Sequence, residues 1–438
     1  MMSRAWAPTS MTLFLVTFLF VFGWKITPIA DLILIVSIVV SAVAYVLADR
    51  ALDRRVLALS WSMLALAGIA LVHAALSARA DTQLAERSIR AAINTIGAAA
   101  LCTLYAREFG SEWPRVIVRH VFWSIAAHAG LVIAMYLLPS LRTAIYRITD
   151  TARYINDTTS FKMGLRIPGL TYGLSQTSVL HLFGVLMAPL VAQQSGRSIV
   201  RALIGLAAIV IVASMLLVGR TGLFLGVMLL PAALLFGHAR AVRPSDPRRA
   251  LGRGRVLIPL ALIGGVTAVA VGMILQRLPA QFIVYNVARA YEVVVAFTNP
   301  AESGTVQAVS NMYLLPDDPM TLLVGEGTMG RDAFQYLDSD VGYVRILFAA
   351  GMVGSALLLA PFVGALAMAA RALPVERRLA VTTALCLVAT LLLHMKEVAL
   401  LTRNQWSVQA ILICCCLAAT DRATRARRQP TAAAGALS

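Results

Sequence analysis

Charged residues are scarce in this 438-residue chain: only 13% of its residues are Asp, Glu, Lys or Arg, whereas 59% are hydrophobic. Soluble domains carry about 25% charged residues, so this composition excludes a water-soluble globular fold. Lipid offers no hydrogen bonds to the backbone, which leaves helices and closed barrels as the structures that span a membrane. The apolar runs are continuous and lack the alternation of barrel strands. We therefore expect an all-α polytopic membrane protein.

Acidic residues are especially few, with 21 Asp and Glu against 38 Lys and Arg, and the formal net charge is +17. Such an excess is typical of nucleic-acid-binding proteins, but Lys and Arg also accumulate in the short cytoplasmic loops of membrane proteins. The second explanation accounts for most of the charge, so we expect no nucleic-acid partner. The five cysteines lie inside apolar segments without disulfide or metal spacing. No metal-binding motif or phosphate-binding Gly loop occurs, and we expect neither a metal nor a cofactor.

Apolar runs that approach the roughly 20 residues needed to cross a bilayer occur about twelve times. The predicted helices lie at residues 9–24, 30–48, 56–77, 91–106, 116–138, 177–195, 202–219, 222–237, 256–275, 343–370, 379–395 and 405–420. The first run follows Arg4 and resembles a signal peptide. Because no small-residue cleavage site follows it, we expect it to be retained as the first helix.

Basic residues in the short loops fall on one side of this arrangement, which predicts that this side is cytoplasmic. Twelve spans place both termini there, together with a basic loop at 238–255 and a tail at 421–438. Two long segments, 139–176 and 276–342, lie on the opposite side and are expected to be ordered, functional periplasmic loops. The predicted location is the bacterial inner membrane, with the working surface facing the periplasm. No internal repeat typical of transporters is visible.

Several external arginines break this charge rule close to a helix end. Arg220 occupies a tight turn at 219–222, Arg166 precedes the sixth predicted helix, Arg277 follows the ninth and Arg289 comes twelve residues later. A guanidinium at the depth of lipid headgroups needs an anionic partner, and its planar fork of donors matches phosphate oxygens. The four residues are candidates for a diphosphate site. The alternative is that they are ordinary solvated arginines.

Two acids, Asp338 and Asp340, come immediately before the tenth predicted helix. Acids at this position often only cap a helix or compensate its dipole. Alternatively, one of them is a general base that takes a proton from an attacking sugar hydroxyl. His181, His394 and Tyr343 lie near the predicted outer ends of helices and are candidates to face the same cavity.

Three short motifs follow one another along the second half of the chain. The first runs from Arg166 to Thr177 through a Pro-Gly pair, and the second is the Gly-Arg-Thr-Gly turn at 219–222. The third runs from the Gly-Glu-Gly of 325–327 through the Asp-Ser-Asp of 338–340 to the glycines of 350–354. In this order, and within a twelve-helix layout, the motifs resemble the family of O-antigen ligases and Wzy-type polysaccharide polymerases. The resemblance covers roughly residues 160–360 by motif.

The resemblance implies a metal-independent glycosyltransferase whose donor is a polyprenyl-diphosphate-linked glycan. An acceptor hydroxyl, on a glycan or a lipid, attacks the anomeric carbon and the lipid diphosphate leaves. Arg220 and Arg277 match the family's diphosphate-binding arginines. Ligases of the family carry a His in the large external loop, whereas 276–342 contains none, which favours a polymerase over a ligase. A chain-length regulator is a further implied partner.

Two other function classes fit the same layout. A flippase for lipid-linked oligosaccharides suits twelve helices, but repeats are missing and charges are few at the helix centres, where transport sites lie. The candidate arginines also cluster on one side, whereas a flippase needs a basic cavity accessible from both. An assembly subunit without chemistry is the third interpretation, and nothing in the sequence excludes it.

Overall fold

The computed structural model of the protein describes residues 8–24, 31–47, 53–76, 81–149, 166–171, 173–238, 298–302, 310–329 and 339–434, with positions 284 and 307. No β-strand occurs among them. Two short 3-10 helices are Gly110–Glu112 and Pro300–Glu302. Helices α1 to α13 are, in chain order, Pro8–Phe22, Leu32–Leu47, Arg54–Leu76, Gln83–Phe109, Trp113–Leu137, Pro139–Ile148, Leu174–Gln193, Ser198–Val218, Thr221–His238, Pro319–Val324, Gly342–Ala372, Arg377–His394 and Arg403–Ala434.

By length and composition, seven helical stretches of the described residues are able to cross a membrane. One of them, Gln83–Leu137, has 55 residues and as one straight helix would far exceed the bilayer core of about 30 Å. The 3-10 turn at Gly110–Glu112 divides it into α4 and α5, which pack against each other. Shorter apolar helices are Ser10–Phe22, Leu32–Leu47 and Thr221–Ala233. This is the architecture of a multi-pass helical membrane protein.

Eleven of the twelve predicted helices correspond to described helices, and the ninth, 256–275, lies outside the described residues. Helices α6 and α10 were not predicted, and they lie in the segments 139–176 and 276–342 that were predicted as long loops. Helix α13 continues to Ala434, well past its predicted end at 420 and into the predicted tail 421–438. Helix α4 begins at Gln83 rather than at residue 91. Glu86, Arg87 and Arg90 interrupt the apolar pattern there, so a hydropathy criterion starts the helix too late. These charged residues therefore lie on a helix that enters the bundle, not in a loop.

Helix α13 is the centre of the bundle. It contacts α1, α4, α5, α7, α11 and α12, and every residue from 404 to 417 is buried. A helix enclosed on all faces needs no polar stripe. This explains the succession Cys414, Cys415 and Cys416, which are buried free thiols acting as small hydrophobic side chains.

Polar side chains on α13 bond to neighbouring helices. The indole nitrogen of Trp406 donates to Thr95 Oγ1 of α4 at 2.8 Å, and Gln409 Nε2 donates to Thr390 Oγ1 of α12 at 2.7 Å. Gln405 Nε2 donates to a backbone carbonyl of α7 at 2.9 Å. Because no water is available inside a bilayer, these bonds fix the position of α13 along its neighbours.

Helix α11 bends at Gly351, whose φ of 63° and ψ of −165° lie outside the helical region. Just before the bend, the carbonyls of Phe348 and Ala349 accept bonds from the amides of Glu326 at 2.7 Å and Gly327 at 2.9 Å. The segment 325–329, which follows the short helix α10, is thereby attached to α11 through its backbone.

Glycines allow this close approach of two backbones. A Cβ at Gly351 would lie 2.4 Å from backbone atoms of Leu323 and Val324, and one at Gly325 would lie 2.4 Å from the amide nitrogen of Ala350. Both glycines have positive φ, 63° and 82°, in regions that side chains rarely adopt. The glycines at 325 and 351, which contribute to the family resemblance, thus serve a packing role here.

The substitution Gly351→Ala tests this packing. We expect the free energy of unfolding to fall by about 1–3 kcal/mol or more, since the backbone conformation is nearly restricted to glycine and the new methyl group meets the α10 backbone. The measurement is the thermal unfolding temperature of the purified protein in detergent. Gly68→Ala in α3 is the matched control, because nothing lies within 4 Å of its added Cβ and alanine favours a helix. An unchanged unfolding temperature for Gly351→Ala would contradict the close approach.

Candidate functional site

The connections α3–α4, α8–α9 and α12–α13 meet at one end of the bundle, which we call the outer end, following the orientation predicted from the loop charges. The amide of Asp81 donates to the carbonyl of Gly327 at 3.2 Å, and Lys396 Nζ donates to Thr221 Oγ1 at 3.3 Å. Loops that the sequence places on the same side are therefore in contact.

A cavity of about 250 Å³ opens at this end between α4, α7 and α13. Arg87 and Arg90 of α4 and Arg403 of α13 line it, and no acidic side chain lines it in the described part of the chain. The rest of the wall combines Thr171, Gln176, Thr177, Thr402 and Asn404 with the apolar Leu180 and Leu401. A basic, polar cavity at helix ends is suited to an anionic group.

The charge of Arg403 is balanced inside the protein. Its guanidinium forms an ion pair with Asp31, whose side chain is only 2% exposed. The other carboxylate oxygen of Asp31 accepts from the amide of Ile33 at 2.9 Å. This pair joins the start of α2 to the start of α13 and holds Arg403 against the cavity. The excess positive charge of the cavity therefore comes from Arg87 and Arg90.

Arg87 lies close enough to Arg90 and to Arg345 of α11 to be repelled by both, while Asp81 and Glu86 attract it. Within the described residues its guanidinium makes no hydrogen bond. Arg90 is 3.8 Å from the half-exposed carboxylate of Glu86, a weak pairing in water. A bound anion would relieve the repulsion among these arginines.

The predicted arginines lie elsewhere. Arg166 and Arg220 flank the end of α8, where the amide of Ile167 donates to the carbonyl of Leu217 at 2.9 Å. Both are partly buried and both interact with other groups, but neither lines the basic cavity. The predicted site residues Arg277, Arg289 and Asp338 lie outside the described residues.

Ser178 of α7 anchors the turn that carries Arg220. Its Oγ accepts from the amide of Gly222 at 3.0 Å and donates to the carbonyl of Gly219. A Cβ at Gly222 would lie 2.2 Å from the carbonyl oxygen of Ser178. The Gly-Arg-Thr-Gly motif thus allows a very close helix contact, which fixes the backbone of Arg220 at the outer end.

A chain of hydrogen bonds through two buried histidines orders the segment 166–171. The amide of Leu170 donates to His128 Nε2 at 3.0 Å, His128 Nδ1 lies 2.9 Å from His181 Nε2, and His181 Nδ1 lies 2.8 Å from Ser214 Oγ. Ser214 Oγ in turn donates to the carbonyl of Ile211 at 2.7 Å.

This chain permits only one direction of donation. Because His128 Nε2 accepts from a backbone amide, its Nδ1 carries the proton and donates to His181, whose Nδ1 then donates to Ser214. Gly169 has a φ of 71°, and a Cβ there would lie 2.5 Å from His128 Nε2. His181 was predicted to face the cavity, but it is fully buried. Its bond to His128 instead helps to hold the segment 166–171, which carries Arg166.

Two other predicted residues, His394 and Tyr343, join the end of α12 to the start of α11. Their rings pack edge to face with centroids 4.5 Å apart. The Tyr343 hydroxyl donates to the carbonyl of Leu391 at 3.1 Å, and His394 Nδ1 accepts from the amide of Ala399 at 3.0 Å. His394 Nε2 is buried and has no partner within the described residues.

Asp340 is exposed, and it precedes the N-cap residue of α11, Val341; no side chain makes a capping bond there. A capping hydrogen bond therefore does not explain this acid. Asp340 lies near enough to Arg345 to attract it and to Glu397 to repel it. Arg345 is also the residue that repels Arg87, so it links Asp340 to the region of the basic cavity.

Sequence reasoning did not single out Glu397, which follows α12. One of its carboxyl oxygens is buried without a partner in the described residues. Burial raises the pKa of this carboxyl, and Asp340 adds to the rise, against the opposing effects of Lys396 and Ser175. A carboxyl with a raised pKa beside an exposed acid is a common arrangement for proton transfer.

The arginines Arg87 and Arg90 were also missed, although the signal that singled out Arg166 applies to them. They follow an external connection and break the same charge rule. They were passed over because the fourth helix was predicted to begin only at residue 91.

We expect the stability of the protein to reveal the raised pKa of Glu397. The folded protein holds this proton more tightly than the unfolded chain, so ionisation disfavours folding. The effect is nil below the ordinary pKa of 4.5 and grows as the pH rises through the raised pKa. Glu397→Gln should thus gain in unfolding temperature relative to wild type as the pH approaches neutrality. The exposed Glu302→Gln is the control. A constant difference across the pH range would argue against a raised pKa.

Disrupting the histidine chain should make the segment 166–171 less ordered. His181→Phe leaves the His128 Nδ1 proton without an acceptor and Ser214 Oγ without its donor, at a cost of about 1–3 kcal/mol in the free energy of unfolding. We expect a lower unfolding temperature and faster protease cleavage near 166–171 in nanodiscs. His73→Phe, near the end of α3 and without a hydrogen bond among the described residues, should leave both unchanged. Equal effects of the two substitutions would count against an ordering role for the chain.

Comparison with known proteins assigns no function to this site. No protein-family model matches the chain, and no curated protein matches it.

Proposed function

We propose that this chain is a glycosyltransferase of the bacterial inner membrane that uses a polyprenyl-diphosphate-linked glycan as donor. About twelve spans would place both termini in the cytoplasm and the outer end in the periplasm. The observation that carries the proposal is the cavity lined by Arg87, Arg90 and Arg403. It lies at the outer ends of helices, where the headgroup of a membrane lipid is found, and its surplus charge is positive.

The cavity supplies what the transfer reaction needs. The acceptor oxygen forms a bond to the anomeric carbon while the bond from that carbon to the diphosphate oxygen breaks. Negative charge then grows on the leaving diphosphate. Arg87 and Arg90 would stabilise it, each well-placed donor contributing about 3 kcal/mol to the transition state. Arg166, Arg220, Arg277 and Arg289 stay proposed as further diphosphate contacts.

The acceptor hydroxyl must also lose its proton. Asp340, with Asp338, remains the proposed base, because Asp340 is exposed at the start of α11 and is linked to the cavity region through Arg345. Glu397 is close enough to Asp340 to interact with it electrostatically, and its raised pKa would make its ionised form a second candidate to take the acceptor's proton. His394 and Tyr343 would keep α11 and α12 in place around these acids.

Polymerisation of oligosaccharide repeat units, as for an O-antigen or an exopolysaccharide, is the favoured form of the reaction. The reason is the absence of any His between 276 and 342, where ligases of the resembled family carry one. A ligase that transfers the glycan to a lipid acceptor is the alternative within the same chemistry.

A flippase for lipid-linked oligosaccharides is the second candidate function. One observation favours it: a basic cavity of about 720 Å³ also lies at the opposite end of the bundle, lined by Arg115, Arg377, Arg378 and Arg422. The sequence had suggested that candidate arginines cluster on one side only. Two basic cavities at opposite ends suit a carrier of an anionic lipid better than one does.

Reconstitution of the purified protein with a polyprenyl-diphosphate-linked repeat unit tests the proposal. We expect glycan transfer, and we expect Arg87→Gln and Arg90→Gln each to lower turnover about a hundredfold, since each removes a charged donor from the leaving group. Arg147→Gln on α6 is the control, because this exposed arginine does not line the cavity. Arg220→Ala and Arg277→Ala should also abolish product while the protein still inserts and folds.

The size of the products separates the alternatives. A ladder of lengthening glycans identifies a polymerase, and a single transfer that needs an added acceptor lipid identifies a ligase. Movement of the lipid across the bilayer without transfer identifies a flippase and rejects the enzyme. Normal turnover in the Arg87 and Arg90 variants would reject the cavity as the diphosphate site.

A further inference from the structure

The cavity at the inner end of the bundle is built from four separate parts of the chain. The start of α5, the end of α7, the turn between α11 and α12, and the last part of α13 surround about 720 Å³. Contacts between inner connections close this end: Arg422 donates to the carbonyl of Ser111 at 2.7 Å, and Arg55 pairs with Asp421 at 2.7 Å.

Positive charge converges on this cavity from three of those parts. Arg115 comes from α5, Arg377 and Arg378 from the start of α12, and Arg422 from α13, whereas Glu376 is the one acid among the lining residues. Four positive charges and one negative charge leave a net charge of +3. Arg115 also pairs with Glu112 at 3.1 Å, but both side chains are at least half exposed, so this pair neutralises little.

Arg115, Arg377 and Arg422 are exposed and Arg378 is half-buried, but all four line the same cavity. An anion bound there is attracted by all four at once. Arginine suits phosphate in particular, because its planar donors match two phosphate oxygens at once.

The remaining residues that line the cavity indicate two further properties of its ligand. Leu373 and Val375, which are 41% and 38% exposed, give it an apolar side, which a small inorganic ion would leave unused. Gln194 also lines it, and its Oε1 is buried with no partner in the described part of the chain. An unpaired amide oxygen is an acceptor, so it calls for a donor such as a hydroxyl group.

We propose that the inner cavity binds a phosphate ester that carries a free hydroxyl, namely the headgroup of an anionic phospholipid of the cytoplasmic leaflet. The phosphate contacts the four arginines, the hydroxyl donates to Gln194 Oε1, and an acyl chain lies along Leu373 and Val375. A soluble ester such as glycerol 3-phosphate offers the same polar chemistry without the acyl chain. This site is independent of the proposed glycosyl transfer at the outer end.

Lipid binding by the full-length protein in detergent tests the proposal, with native mass spectrometry during titration of phosphatidylglycerol or phosphatidylcholine. We expect tighter binding of phosphatidylglycerol. The double variant Arg377→Gln/Arg378→Gln should weaken it about tenfold or more, because charged hydrogen bonds are lost, and should leave phosphatidylcholine unaffected. Arg422→Gln tests the same site from a different helix should the double variant fail to fold. Arg425→Gln, exposed and outside the cavity, is the matched control.

Gln194→Leu separates the hydroxyl contact from the charge. We expect it to reduce the preference for phosphatidylglycerol over phosphatidic acid, which lacks the glycerol hydroxyls of the headgroup, while binding of phosphatidic acid persists. An unchanged preference would overturn the role of Gln194 in the proposed site.

Competition identifies the source of the phosphate. Displacement of phosphatidylglycerol only by other anionic lipids supports the lipid headgroup, whereas equal displacement by glycerol 3-phosphate supports the phosphate-ester site but assigns it a soluble ligand. The proposal is overturned if wild type does not distinguish phosphatidylglycerol from phosphatidylcholine and binds no glycerol 3-phosphate. It is equally overturned if Arg425→Gln weakens binding as much as the cavity variants do.

Discussion

Lipid accepts no hydrogen bonds, and the polar groups inside this bundle must therefore bond to one another. The central helix α13 meets this constraint through Trp406 and Gln409, which bond to α4 and α12. The histidine chain from Leu170 to Ser214 meets it between α5, α7 and α8, and its three side chains, His128, His181 and Ser214, each accept one bond and donate another. In a packed interior such bonds have few alternatives, so they define how the helices lie along one another.

The same constraint shapes the outer end. The segment 325–329 can approach the bundle only because the bend at Gly351 frees carbonyls of α11 to receive its amides. Asp31 is buried and is balanced by Arg403, which brings an arginine of the central helix to the cavity wall. The basic cavity thus depends on the packing that satisfies the interior, and Arg87 and Arg90 add the charge that this packing leaves unbalanced.

Much of the fold was predictable, because a long apolar run in a chain with few charges has few alternatives to a membrane helix. The helix ends were predicted least well at the charged start of α4 and at the charged end of α13, where each helix extends beyond its apolar run. The candidate site was likewise predictable only in part. The external position of Arg166 and Arg220 was inferred from the charge rule. Their separation from the cavity could not be inferred, because this rule predicts the side of the membrane on which a residue lies but not the residues that it contacts.

The sequence by itself determined the class of protein, the positions of most helices and the presence of cations in connections expected to be external, since composition and the length of apolar runs act locally along the chain. Only the tertiary structure decided that Arg403 lines one cavity with Arg87 and Arg90, which precede it by more than 300 positions in the chain. It also decided that Glu397 lies near Asp340 and that His181 is an interior residue. These facts depend on which helices pack side by side, and that choice is made by side-chain fit and hydrogen bonds between segments distant in sequence.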